Sequence, residues 1–184
     1  MQTTPLTFEG LVIRPFHNSD APAFVAAVLE STDTVGRWMP WCTNTYSERE
    51  ALAWFAVCEA AQNAGTAFDF GVFCQDTGEF LGGAGLNHIV QQHRFCNLGY
   101  WVRQSRQRQG IALRCVKALT THAFENLHLH RVEIVVAVGN CESEALAVKA
   151  GAQRECIAQN RLFIRNQPVC AHVFSVVPAS TERA

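Results

Sequence analysis

A polar loop between a strand and a helix carries the residues best suited to chemistry in this sequence. The loop runs from Arg103 to Gly110 and follows an apolar segment, Leu98–Val102. Successive backbone N–H groups here precede a helix start, and Gly110 has no side chain to obstruct a ligand. The sequence therefore predicts an anion-binding site suited to phosphate. We call this site the cradle, and it consists of Gln107, Arg108, Gln109, Gly110, Ile111 and Ala112.

The charge pattern around the cradle favours the same kind of ligand. No Asp or Glu occurs from Phe80 to Phe124, whereas six cationic side chains lie inside that span: Arg94, Arg103, Arg106, Arg108, Arg114 and Lys117. A region without carboxylates does not repel phosphates. The alternative is a solvated loop with ordinary surface arginines, and the surrounding strand, glycine and helix favour the anion site over it.

Hydrophobic periodicity predicts the elements that must position this loop. A long helix follows it, with an apolar stripe at spacings of three and four: Ala112, Val116, Leu119, Ala123 and Leu127. Other helices are predicted over about 20–30, with Asn18 or Ser19 as cap, over 47–63, opened by a capping box at Ser47 and Glu50, and over 141–149. Strands are predicted over 6–14, 68–74, 80–90, 95–102, 131–138, 153–160 and 169–177.

These elements indicate an α+β fold with a mixed, mostly antiparallel, twisted sheet of six or seven strands flanked by four helices. We expect a single domain over residues 1–178 and a loose C-terminal tail over 179–184. Between the first two helices, Ser31–Tyr46 has no periodicity but holds Trp38 and Trp41. Aromatic residues in such a loop indicate either a binding wall or a lid packed on the core.

Composition restricts the partners. A net charge of −1 argues against nucleic acid, because domains that follow phosphate backbones are plainly basic. The seven histidines show no spacing typical of metal ligands, so we expect no metal. The eight cysteines form no C-x-x-C pair and several lie in apolar runs, which favours free thiols in a reducing compartment. With no signal-peptide or membrane-spanning pattern either, the sequence predicts a cytoplasmic protein without a membrane partner.

Several motifs resemble one known family. Gln107-x-x-Gly110-x-Ala112, placed after Leu98-Gly99-Tyr100-Trp101-Val102, resembles the pyrophosphate-binding loop of the GNAT N-acetyltransferases. One branch, the RimJ/RimL-type ribosomal-protein N-terminal acetyltransferases, is resembled by Trp38-Met39-Pro40-Trp41, His130-Arg131-Val132-Glu133, Asn140-x-x-Ser143 and Lys149-Ala150-Gly151. The resemblance covers about residues 6–177. It implies the GNAT fold and acetyl-CoA as cosubstrate, without a metal.

The resemblance also implies how the coenzyme is held. The strands before and after the long helix would diverge, and the pantetheine arm would enter between them beside the backbone of Trp101 and Val102. The cradle would hold the diphosphate, and Asn140 would hydrogen-bond the arm. The Ser143 hydroxyl would assist the leaving thiolate, although both residues can instead simply cap the helix that starts there. Cys141 could accept the acetyl group, but the relatives transfer it directly.

The general base is where the sequence departs from this family. Many relatives carry Glu two residues before the Gly-Tyr-Trp segment, and this chain has Asn97 there, which cannot accept a proton. The remaining candidates are Glu155, which we expect to be the catalytic base, and His88 and His93, acting directly or through water.

Three functions remain open. The favoured one is direct acetyl transfer, in a ternary complex, to the N-terminal α-amine of a protein, a ribosomal protein among them. An α-amine is about one part in seven neutral at pH 7, against about one in 2,500 for lysine, and so suits a site without a strong base. The alternatives are a small-molecule amine (a polyamine, amino acid or antibiotic) and a catalytically silent acyl-CoA-binding module. Trp38, Trp41 and His88 are the predicted acceptor-binding residues, and a homodimer is left open.

Overall fold

One eight-stranded sheet organises the computed structural model, which describes residues 4–178. The strands are β1 Leu6–Phe8, β2 Leu11–Arg14, β3 Phe68–Cys74, β4 Phe80–Val90, β5 Phe95–Val102, β6 Arg131–Ala137, β7 Gln153–Ile164 and β8 Gln167–Val176. The helices are α1 Ala21–Leu29, α2 Glu48–Ala64, α3 Ile111–Glu125 and α4 Cys141–Lys149. The predicted α+β class, with four helices on a mixed sheet, is confirmed. The predicted tail over 179–184 lies outside the described residues, and the single domain over 1–178 stays a prediction.

The sheet has the order β1–β2–β3–β4–β5–β6–β8–β7. Neighbouring strands are antiparallel except for β5 and β6, which are parallel. The crossover between these two contains the long helix α3, as a parallel connection requires. The loop that leads into α3 therefore lies at the carboxyl end of β5, in the middle of the sheet.

The sheet has one strand more than the seven segments predicted, because a tight turn within the first of them was missed. The predicted strand over 6–14 is a hairpin of β1 and β2, closed by Glu9 (φ 45°) and Gly10 (φ 81°). Two central residues with positive φ match the right-handed twist of the paired strands. Arg165 (φ 51°) and Asn166 (φ 59°) close β7 onto β8 in the same way, so β7 runs past the predicted end at 160.

The helix boundaries follow local capping. The predicted capping box of α2 is confirmed: Ser47 N–H donates to the Glu50 carboxylate (2.9 Å), and Gly65 ends the helix at φ 69°. At α1, however, the prediction that Asn18 or Ser19 caps the helix is wrong, because Asp20 is the N-cap residue and its carboxylate instead accepts hydrogen bonds from Arg14. Within residues 4–178, none of the helices combines the length and apolarity that crossing a bilayer requires.

Each face of the sheet carries its own core. Helices α3 and α4 pack on one face, where Leu98 of β5 and Ile134 of β6 are buried. On the other face, α1, α2 and the 31–46 loop enclose a second cluster around Phe24, a ring that contacts five other aromatic rings besides Phe80. β5 contributes to both cores, with Leu98 in the first and Trp101 packed against the second.

Candidate active site

The parallel strands β5 and β6 separate after three paired residues. Phe95, Cys96 and Asn97 of β5 pair with β6, and the pairing then stops. Beyond that point β5 continues along β4, and β6 continues along β8 up to Ala137. We call the space between residues 98–102 and 134–137 the gap. The divergence that the family resemblance implied is present in the structure.

Backbone groups of β5 face into the gap. The N–H of Arg103 donates to the Leu81 carbonyl (2.9 Å), so Trp101, two residues earlier, is also bonded toward β4. The direction of the backbone groups alternates along a strand, so Tyr100 and Val102 turn their N–H and C=O groups toward the gap. The Val102 carbonyl accepts a hydrogen bond there from the Gln107 side chain (3.1 Å).

The cradle has the open amides that the sequence predicts. After a 3₁₀ turn at Gln104–Arg106, Arg108 (φ 61°) and Gly110 (φ 73°) adopt left-handed conformations, and α3 begins with no side-chain cap. The amides of residues 108–113 meet no backbone or side-chain acceptor within residues 4–178. No atom lies within 4 Å of a Cβ built on Gly110. A row of free N–H groups at a helix N-terminus can bind a diphosphate.

Acidic residues distant in sequence approach the cradle, which corrects the view that this region lacks carboxylates. Glu30, at the end of α1, pairs with Arg103 (2.6 Å) and accepts a hydrogen bond from the Ser105 amide (3.1 Å). Glu79 pairs with Arg106 (2.8 Å). These two arginines therefore hold the loop in place. Arg108 is exposed and has no ion pair within the described range, so its charge is available to a ligand.

The hydrogen bond from the Arg103 guanidinium, with those from Ser105, lowers the pKa of Glu30 to about 2 although partial burial opposes the shift. Glu30 thus stays ionised at any pH at which the protein functions. The loop that carries the cradle is pinned to α1 by a permanent charge pair.

On the far side of the gap, Asn140 and Ser143 open α4. The Asn140 side chain accepts from the Ser143 amide (3.3 Å), which is the capping role that the sequence left open. The Ser143 hydroxyl instead lies 2.8 Å from the Tyr100 hydroxyl, and burial raises the pKa of Tyr100. This contact spans the gap. Tyr100 is a site residue that sequence reasoning missed, although it lies within the quoted strand motif.

A cavity of about 350 Å³ opens on the face of the sheet that is opposite α3 and α4. Its walls come from α1, α2, the 31–46 loop and β3–β5, and it is lined by Phe16, Phe24, Met39, Trp41, Tyr46, Trp54, Asp69, Phe70, Gly83, Ala84, Gly85, Asn87, Gly99, Tyr100 and Trp101. We call it the aromatic cavity. Tyr100 joins it to the gap, because the same residue lines the cavity and contacts Ser143.

The predicted acceptor residues are only partly brought together. Trp41 lines the aromatic cavity, with its ring 5.4 Å from that of Trp101. Trp101, predicted to bind the coenzyme, thus presents its ring to the cavity and its backbone to β4. Trp38 lies outside the cavity lining, near Gly139. His88 is exposed on β4 and does not line the cavity, which argues against the predicted acceptor contact.

The 31–46 loop is compact and linked to the loop that carries the cradle. A Cβ at Gly36 would overlap the carbonyl oxygens of Thr32 and Cys42, so this tight segment requires glycine. The Ser31 hydroxyl accepts from the amide of Gln104 (3.0 Å), and the Thr34 hydroxyl accepts from the Gln107 side chain (3.2 Å). The cavity wall and the cradle loop are therefore joined by direct hydrogen bonds.

Asp69 is the carboxylate of the aromatic cavity, and sequence reasoning missed it. It lies on β3 between two phenylalanines and beside Gly85 of β4. A Cβ on Gly85 would overlap the Asp69 carboxyl group, so the glycine makes room for it. Burial raises the pKa of Asp69 to about 6. A lone Asp in an apolar strand facing a glycine-rich strand was the available signal.

Glu155, the predicted base, has other partners. Arg131 donates two hydrogen bonds to its carboxylate (2.7 and 2.5 Å), and the Ser175 hydroxyl donates a third (2.7 Å). Mainly because of Arg131, the pKa of Glu155 falls to about 2. Such a carboxylate is a poor proton acceptor at neutral pH, so the structure argues against the predicted role. His93 is exposed in the β4–β5 turn and does not line the cavity.

No group of three His, Cys, Asp or Glu side chains within the described part of the chain is arranged to hold a metal ion. The chemistry that remains is that of amides, hydroxyls and one desolvated carboxylate. Together they suit the binding of a phosphorylated coenzyme and an acyl transfer beside it.

Comparison with known proteins is consistent with this geometry. A family model described as "Acetyltransferase (GNAT) domain" matches residues 10–153. The chain is 27% identical over 172 residues to the uncharacterised N-acetyltransferase YoaA of Bacillus subtilis (strain 168). This alignment covers 94% of this chain and 96% of that protein. The chain is also 27% identical over 166 residues to the ribosomal protein uS5-alanine N-acetyltransferase of Escherichia coli (strain K12). This alignment covers 88% of this chain and 84% of that protein.

A solved structure from Vibrio cholerae, provisionally described as a ribosomal-protein-serine acetyltransferase, superposes with a TM-score of 0.84 at 29% identity. The match covers 97% of this chain and 100% of that one. The similarity thus includes both faces of the sheet and the gap between β5 and β6.

The Glu30–Arg103 pair gives a test of how the cradle loop is held. Because the Glu30 pKa is lowered from 4.5 to about 2, its contribution to stability is complete above pH 4.5 and is lost as the pH falls toward 2. Glu30→Gln should lower the free energy of unfolding at pH 7, and its difference from the natural protein should shrink across that acid window. Urea titrations from pH 7 to pH 3 measure this, with Glu59→Gln, an exposed carboxylate of α2, as control. A difference that stays constant with pH would contradict the assignment.

Proposed function

Because this chain belongs to the GNAT acetyltransferase family and is an acetyl-CoA-dependent N-acetyltransferase, we propose that its acceptor is the N-terminal α-amine of a protein. The observation that carries the proposal is the arrangement around Tyr100, where the gap and the aromatic cavity meet. A donor held in the gap and an amine held in the cavity would approach each other across β5. This arrangement supports direct transfer in a ternary complex.

We assign the coenzyme to the gap and the cradle. The free amides of residues 108–113 and the Arg108 charge would bind its diphosphate, with Gln107 and Gln109 beside them. Backbone groups of Val102 and Tyr100, which face the gap, would pair with the pantetheine arm, and Asn140 would border it. Bound there, the coenzyme supplies an activated acetyl thioester. Binding energy from the remote phosphates would fix the position of the reacting group.

We assign Ser143 to the leaving group. Its hydroxyl lies at the start of α4 and is hydrogen-bonded to the Tyr100 hydroxyl. Tyr100 can donate to Ser143, which leaves the Ser143 proton free to point into the gap. That proton would then be available to a thiolate. The thiol of Cys141, two residues before Ser143, is exposed, and direct transfer gives it no chemical role.

The acceptor assignment rests on the charge of the aromatic cavity and on the relatives. Asp69 is the one carboxylate among the residues that line the cavity, which suits an acceptor with a single ammonium group rather than a polycation. The Escherichia coli relative is named for the alanine of a ribosomal protein, and the Vibrio cholerae structure for a serine. A ribosomal protein is therefore the first acceptor to examine.

We also infer a reducing, cytoplasmic setting. All eight cysteines are free thiols, and Cys58, Cys96 and Cys115 are buried. Burial raises the pKa of these three thiols, which keeps them protonated and unreactive at neutral pH. They act as core residues.

The first prediction from the proposal concerns the coenzyme. Gly110→Val should weaken CoA binding by at least about tenfold, which corresponds to 1.4 kcal/mol. The left-handed conformation of Gly110 costs a side-chain-bearing residue roughly 1–2 kcal/mol, and the new side chain would occupy the open space of the cradle. Isothermal titration with CoA measures the change.

Gly65→Val is the matched control. Gly65 ends α2 at φ 69° and is equally open, but it lies far from the cradle in sequence and fold. This variant should lose stability and keep its CoA affinity. Unchanged affinity in Gly110→Val would remove the cradle from the proposal.

The second prediction concerns the acceptor. A peptide with a free α-amine should be acetylated with a higher kcat/KM than the same peptide carrying a blocked N-terminus and one lysine, and than spermidine, free alanine or an aminoglycoside. The reason is that an α-amine is far more often neutral at pH 7 than a lysine. Mass spectrometry of the products locates the acetyl group without interference from the protein's own thiols. Faster transfer to spermidine or to the aminoglycoside would contradict the prediction and would indicate that the acceptor is a small molecule.

The third prediction concerns Ser143. Ser143→Ala should lower kcat on the order of 10²-fold while CoA affinity changes little, because general-acid assistance is lost. The neighbouring Cys141→Ala should leave kcat unchanged if transfer is direct. Parallel loss of kcat and CoA affinity in Ser143→Ala would reduce Ser143 to a structural residue, and inactivity of Cys141→Ala would indicate a covalent acetyl-enzyme.

A further inference from the structure

An α-amine acceptor must lose a proton before it can attack, and the lining of the aromatic cavity contains one carboxylate that could take it. At pH 7 about six in seven α-amines are protonated. Asn97 cannot serve, because an amide does not accept a proton and its own amide group donates to Asn87 (2.9 Å). Glu155 lies on β7, the strand at one edge of the sheet, and its carboxylate is hydrogen-bonded to Arg131. The aromatic cavity, in contrast, holds a carboxylate in its lining, Asp69.

We propose that Asp69 is the proton acceptor for the incoming ammonium group, and this proposal rests on the proposed function. Asp69, Gly85 and Gly99 form one row across β3, β4 and β5. All three line the aromatic cavity. The other two residues of the row are glycines and carry no side chain, so the row itself leaves the space between the Asp69 carboxylate and β5 open, with the Asn87 amide beside Gly99.

The distances within the row are short enough for direct contact or one bridging water. Adjacent strands lie about 4.8 Å apart. The Asp69 carboxyl group leans over Gly85, since a Cβ built there would overlap it. The Asp69 carboxyl group is therefore about one strand spacing from Gly99. Tyr100, which follows Gly99 on β5, turns its backbone groups toward the gap. An amine in front of Gly99 and Tyr100 would lie between the carboxylate and the donor side of β5.

The surroundings of Asp69 suit a base rather than a structural ion. Its pKa is raised to about 6 by burial, and no other side chain contributes to that shift. The titratable group that interacts with Asp69 is the Cys58 thiol on α2. Tyr46 of the 31–46 loop and Tyr100 of β5 also line the cavity, and the Tyr100 phenol contacts Ser143 on the other face of the sheet. Burial raises the pKa of each of these three, so they stay neutral where Asp69 titrates.

The proposed step balances as follows. One N–H proton of the ammonium group passes to an Asp69 oxygen, and the freed nitrogen pair attacks the thioester carbonyl carbon. A C–N bond forms and the C–S bond breaks. The second N–H proton reaches the departing thiolate by way of Ser143. Asp69 returns its proton to water, so the sum is ammonium plus acetyl thioester giving acetamide, thiol and one proton.

The test compares Asp69→Asn with the natural protein over pH 5.5–9.5, with a peptide α-amine as acceptor. At pH 7, Asp69→Asn should lower kcat/KM on the order of 10²-fold, while CoA affinity by titration calorimetry stays unchanged. The deficit should shrink above about pH 8, where the acceptor is already neutral. The acid limb of the natural profile, near pH 6, should be absent from the variant. Asp76→Asn, an exposed carboxylate in the β3–β4 turn, is the matched control and should behave like the natural protein.

A second variant keeps the carboxyl group and displaces it. Gly85→Ala should also slow transfer at pH 7, and in combination with Asp69→Asn it should add little, because both act through one carboxylate. Normal kcat/KM in a folded Asp69→Asn, or a deficit equal at every pH, would overturn the proposal while leaving the acceptor class intact. A natural protein that binds CoA but acetylates none of the amines would overturn the proposed function and this inference together.

Discussion

The separation of β5 from β6 is the constraint on which the rest of the site depends. Each strand keeps its hydrogen bonds on its outer side, β5 with β4 and β6 with β8, so only the inner edges are left unpaired. Unpaired backbone groups must find partners, and a bound molecule can supply them. The opening is held by elements outside it: Glu30 of α1 fixes Arg103 at the end of β5, and the loop to α3 then follows a set path.

The contrast between two carboxylates shows how environment decides chemistry in this fold. Glu155 and Asp69 are both on the sheet, but Arg131 and Ser175 stabilise the charge of the first, whereas burial penalises the charge of the second. The pKa values of about 2 and about 6 follow from these partners and not from residue type. Gly83 and Gly85 on β4 contribute by leaving room for the Trp101 ring and the Asp69 carboxyl group.

Local patterns made much of this structure predictable. The capping box of α2 and the β3, β4 and α4 segments depend on residues close in sequence, and these parts agree with prediction. Non-local features were not accessible in this way. The Glu30–Arg103 pair joins residues 73 positions apart, and the Asp69–Gly85 contact depends on strand register. The family resemblance directed attention to Glu155, and only the partners seen in space argued against it. The Glu9–Gly10 turn was missed although the apolar alternation shifts its phase there, from Leu6 and Phe8 to Leu11 and Ile13.

Hydrogen bonds join the 31–46 loop to the cradle loop, among them those from Gln104 to Ser31 and from Gln107 to Thr34, and this link has a consequence for redesign of the enzyme. A library of substitutions confined to the 31–46 loop, made to change which amine is accepted, would also perturb the loop that we propose to bind the coenzyme. Acceptor selectivity and coenzyme affinity would therefore change together. To alter the selectivity alone, substitutions are better placed on the α2 side of the aromatic cavity, at Trp54 for instance.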